Sequence, residues 1–145
     1  MSFTATTPPV RTAGTPALTA AAVGAAGICL GAAGVQVALA SGAPLGEHVW
    51  GGGQERVLPV HMRLAAGGAA AVLTGMAVVV VRRAGLIGRP AAWLVPATWA
   101  IAGFLAVNTL GNIASTSSVE RYVFGPATAV AAALTAFVAR RAGRR

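Results

Sequence analysis

The stretch ALTAAAVGAAGICLGAAGVQVALA, residues 17–40, runs without a single charged side chain and decides the architecture of the chain. A hydrocarbon core about 30 Å thick is crossed by roughly 20 apolar residues in helix, so this segment predicts a transmembrane helix. Working outward, three further stretches meet the same requirement, at residues 62–81, 91–113 and 118–139. The expected fold is therefore all-α: an integral membrane four-helix bundle of residues 17–139. A short flexible tail, residues 1–16, is expected before it and a basic tail, residues 140–145, after it.

Composition agrees. Hydrophobic residues make up 56% of the 145-residue chain and charged residues only 10%, well below the roughly 25% charged residues of a soluble domain. The 19 glycines and the alanine-rich runs suit helices packed closely in lipid, where close approach rather than water exclusion drives association. In the first stretch Ala20, Gly24, Gly27, Gly31, Gly34 and Ala38 recur at alternating steps of four and three, which places them on one face. That face is expected to be a helix contact, used between neighbouring spans of the same bundle. Ala38-Leu39-Ala40 before Ser41 resembles a signal-peptide cleavage site, but an apolar stretch of this length exceeds a signal core of about 7 to 15 residues.

The formal charge of +8 does not point to nucleic acid, because the arginines sit just beyond the ends of the apolar runs. If the amino terminus is cytoplasmic, Arg11, Arg82, Arg83, Arg89, Arg140, Arg141, Arg144 and Arg145 lie inside. Only Arg56, Arg63 and Arg121 then lie outside. This asymmetry places both termini in the cytoplasm. Trp93 at the inner end, with Trp50 and Tyr122 at the outer ends, fits the interfacial aromatic belts.

The polar side chains gather on the predicted outer side. The loop of residues 41–59 carries Glu47, His48, Trp50 and Gly51-Gly52-Gly53, with His61 and Arg63 opening the next span. Asn108 and Asn112 lie one turn apart on one face of the third span, followed by Ser115, and Glu120 and Arg121 open the fourth. Amides inside a span are costly unless they bond a partner or line a wet cavity. An outward-facing polar pocket is thus expected, with Asn108, Asn112 and Ser115 as its wall and His61, Arg63, Glu120, Arg121, Glu47 and His48 around it. The same two asparagines also serve as hydrogen-bonded glue between helices under a purely structural reading.

Other chemistries find little support. Cys29 is alone, so no internal disulfide or cysteine-rich zinc site forms, and His48 and His61 lack metal-ligand spacing. Gly51-Gly52-Gly53 is followed by no Walker lysine and is read as a turn that needs unusual backbone angles. No cofactor is implied, and no Ser, His and acid grouping has the context of a catalytic nucleophile. Ionisable residues are also missing from the span centres, where proton-coupled carriers and voltage sensors keep them.

The stretch VNTLGNIASTSSVER, residues 107–121, with Pro126 beyond it and Trp50-Gly51-Gly52 upstream, resembles a pattern in uncharacterised small four-span bacterial membrane proteins. That resemblance implies a four-helix fold and no known activity, and the expected location is the bacterial cytoplasmic (inner) membrane. The function expected from the residues is binding or transport of a small polar or ionic solute. The alternative is an accessory subunit that docks a membrane partner or a second copy through its small-residue face.

Overall fold

A computed structural model describes residues 15–89 and 91–142. Most of the tail expected at residues 1–16, including Arg11, and Arg144 and Arg145 at the carboxyl end lie outside the described residues. Four helices follow in order: α1 Pro16–Ala40, α2 Val60–Arg83, α3 Leu94–Ala114 and α4 Gly125–Arg141. A 3₁₀ turn, Gly46–His48, interrupts the first connection, and a π turn, Glu120–Phe124, leads into α4. The described residues contain no strand, and all four helices, α4 counted with its π turn, are long and apolar enough to cross a membrane.

Each helix begins where its sequence tolerates the missing hydrogen bonds of a first turn. Pro16 opens α1 and Pro59 immediately precedes α2, positions at which an absent N–H costs nothing. Pro96, third residue of α3, is accommodated for the same reason. Pro126 is different, because helical backbone runs from Ser118 straight through it. Its ring would clash with the carbonyl four residues earlier, that of Tyr122. The chain widens the preceding turn instead, so that Gly125 N–H reaches five residues back to the Glu120 carbonyl. From the sequence, Pro126 predicts either a kink near Tyr122 or a helix that starts at Gly125; α4 does start at Gly125, with the wide turn joined directly to it.

Around the bundle, α1 packs between α2 and α4, and α3 packs on α4. The consecutive helices α2 and α3 touch each other least of the neighbouring pairs. Leu18, Ala22, Ala25 and Cys29 of α1 meet Val80 of α2, Ile101 and Leu105 of α3, and Ala131 and Val138 of α4 in one core. A second core, Leu39, Val49, Leu58 and Ala66, anchors the 41–59 loop at the opposite end. We call that end the loop end and the other, which carries Arg82, Arg83, Arg140 and Arg141, the arginine end.

The small-residue stripe of α1 does not face the bundle, which corrects the expectation. Around Gly27, Gly31 and Gly34 there is open space where a side chain would stand, and only Gly24 approaches a neighbour, Leu134. The buried face runs through Leu18, Ala22, Ala25, Cys29 and Ala33, nearly opposite the stripe at 100° per residue. Alanine methyl groups and the cysteine side chain fill the space between helices that glycine would leave empty, so the face with side chains takes the contact.

Candidate functional site

Between the two cores, where α2 and α3 part, lies a cavity of about 750 Å³. All four helices contribute to its wall, and Trp50 and Gly51 of the 41–59 loop close it at the loop end. Most of the lining is apolar, including Ile28, Val72, Leu73 and Phe104. Polar groups enter from three sides: Gln36 from α1, Asn108 and Asn112 from α3, and Glu120 with Thr128 from the α4 side.

The loop is held over this cavity by a chain of hydrogen bonds. Trp50, Gly51, Gly52 and Gly53 all have positive φ, between 57° and 90°, so the backbone coils left-handed for four residues. Glycine adopts such angles readily, whereas Trp50 does so against the steric preference of its side chain. The coil turns both polar groups of Gly51 toward the α3–α4 connection. Its N–H donates to Glu120 Oε2 at 2.8 Å, and its carbonyl accepts from Thr116 Oγ1 at 2.6 Å. Ser117 Oγ donates to the His48 carbonyl at 2.9 Å. Ser115 Oγ donates to the same Glu120 oxygen. Ser117 also caps the helical segment, since its Oγ accepts from Glu120 N–H at 3.4 Å.

The residues anticipated from sequence divide into those on the cavity, those supporting it and those exposed away from it. Asn108, Asn112 and Glu120 line it. Asn112 Nδ2 lies 3.3 Å from Asn108 Oδ1 and 3.4 Å from Thr128 Oγ1, so this amide joins α3 to α4 as well as facing the cavity. Ser115 is buried behind Glu120 and orients it. Arg121 donates to the Ser115 carbonyl at 2.7 Å, and Arg63 donates to the Ala40 carbonyl at 2.9 Å. These two guanidiniums therefore close backbone ends rather than face the cavity. Glu47 and His48 are exposed and pair with each other at 3.5 Å, and His61 is exposed at the start of α2. Among the described residues, no three His, Cys, Asp or Glu side chains are grouped to share a metal ion.

Gln36, Thr128 and the aromatic residues Trp50, Phe104 and Phe124 are cavity residues that sequence reading missed. Gln36 was detectable. It is the only amide in α1, and the argument that singled out Asn108 and Asn112 applies to it equally. Its Oε1 is buried and has no hydrogen-bond partner.

This arrangement can hold a molecule with an apolar body and a polar head, the body against the helix walls and the head among Gln36, Asn108 and Glu120. Comparison with family models, with curated proteins and with solved structures finds no match for this chain, so the geometry alone carries the functional argument.

Proposed function

We propose that this is a multi-pass protein of the bacterial cytoplasmic membrane, with both termini inside, that binds or carries a small solute in the cavity at its loop end. The arginine asymmetry supports this orientation, in which the cavity would lie in the outer half of the bilayer. The observation that carries the proposal is the convergence of Gln36, Asn108, Asn112 and Glu120, from three directions in the chain, on one cavity of about 750 Å³. Ligand sites commonly combine a concave apolar wall with a few convergent polar groups, at volumes of roughly 300–1,000 Å³. The solute is expected to present a polar or ionic head to these groups.

Native mass spectrometry of the protein released in mild detergent tests the proposal. A reproducibly retained small molecule is expected, lost in Asn112→Leu while the protein stays folded. Gly111→Phe is expected to expel it too, because Gly111 lines the cavity and has open space before it. Retention of the molecule by both variants would place it elsewhere on the protein.

A second reading is favoured by one specific observation, the outward exposure of Gly27, Gly31 and Gly34 on α1. Such a surface lets another helix approach closely in lipid, as an accessory subunit docking a partner or a second copy would need. Gly27→Leu with Gly31→Leu is then expected to dissociate an assembly seen by the same spectrometry. A bare monomer in the wild type would remove the ground for this reading.

A further inference from the structure

Glu120 is a carboxylate at the cavity wall with no cation of its own. It is 7% exposed, and the ion pairs among the described residues, Glu47 with His48 and Glu47 with Arg56, leave it out. The arginines on neighbouring segments are engaged elsewhere: Arg121 with the Ser115 carbonyl, and Arg63 with the Ala40 carbonyl. Its hydrogen bonds from Gly51 N–H and Ser115 Oγ converge on one oxygen, Oε2. A buried carboxylate held without a counter-charge is costly, and a positively charged ligand removes that cost.

We infer that the ligand is a lipophilic organic cation, an ammonium group on an apolar body. This rests on the cavity being a ligand site and names the class of molecule it takes. Trp50, Phe104 and Phe124 line the same cavity, and aromatic faces attract cations where water is scarce. An anionic head would meet the Glu120 charge, and a bare metal ion would lack ligands among these apolar walls. The apolar body has a route in from lipid, because Val72 of α2 and Phe104 and Val107 of α3 are exposed along the seam where these helices part and also line the cavity.

A matched pair of probes tests this. 4-Phenylbutylamine, protonated at neutral pH, and 4-phenylbutanol share a body and differ in head charge. Their dissociation constants are measured by native mass spectrometry titration on the full chain in mild detergent. The amine is expected to bind at least about tenfold tighter than the alcohol, the strength of one charge-assisted hydrogen bond. In Glu120→Gln, which keeps an oxygen to accept from Gly51 and Ser115, the ratio is expected to fall to about one. Equal binding of the two probes to the wild type would overturn the cation assignment and leave the cavity as a ligand site. A preference for the amine that survives Glu120→Gln would overturn the role of Glu120. Binding of neither probe, or binding indifferent to Gly111→Phe, would overturn the ligand site and the inference together. The wild-type comparison stands without any variant, so poor folding of Glu120→Gln does not protect the inference.

Discussion

Thr135 has no exposed surface in the middle of α4, and its hydroxyl has no hydrogen-bond partner, unlike Thr98 and Thr109, which donate to the carbonyl four residues back. Valine has the same shape without the hydroxyl. Thr135→Val is expected to raise stability by about 1 kcal/mol, measured by unfolding in detergent, because an unpaired buried hydroxyl is removed. A loss of stability would show that the hydroxyl is satisfied after all. Gly46 makes the opposite case, for here a side chain is what the structure cannot take. A Cβ there would run into the Glu55 carbonyl oxygen, and that closeness lets Gly46 N–H bond the Arg56 carbonyl at 2.9 Å. Gly46→Ala is expected to cost roughly 1–3 kcal/mol and to open the 41–59 loop to protease. Cleavage unchanged from the wild type would contradict the close approach. Neither position stood out in the sequence, since burial of Thr135 and contact of Gly46 with Glu55 are set by segments distant from them.

At the scale of elements, the helix ends show where sequence reasoning reached and where it stopped. Arg63 was anticipated as a pocket residue, but it reaches from the first turn of α2 to the carbonyl of Ala40, the last residue of α1. A guanidinium there satisfies an orphan carbonyl and complements the negative end of the helix dipole. Arg63→Met is expected to cost about 1 kcal/mol and to speed hydrogen exchange in the last turn of α1. Exchange confined to α2 would be the contrary result. The π turn was legible only as a conflict. Pro126 within an apolar run announced that something must yield, and the sequence did not say whether the helix would bend, begin late or widen. Widening keeps the backbone groups bonded, and it carries Glu120 at the head of α4 to the Gly51 N–H. The stripe of α1 failed as a guide for a related reason. Spacing shows which residues share a face, whereas the choice between two faces of small residues depends on what the neighbouring helices present.

For the whole molecule, the proposed orientation makes a direct prediction. A fluorescent reporter active only in the cytoplasm, fused after Arg145, is expected to be bright, and a periplasm-active phosphatase at the same place silent. The reverse pattern would turn the bundle over and put the cavity in the inner half of the bilayer. The all-helical architecture and the four apolar helices were determined by the sequence itself, because the lengths of charge-free runs answer directly to the thickness of a bilayer. Asn108 and Asn112 were legible as site candidates on similar grounds, since a polar group in an apolar run demands a partner, and Glu120 by its place at the outer opening of the fourth run. Only the tertiary structure decided that these three share a cavity with Gln36, that Ser115 and Arg121 support it from behind, and that α2 and α3 part to open it. The physical reason is that hydropathy is a property of each segment against lipid. Which segments meet depends on how side chains from distant parts of the chain fill the space between helices.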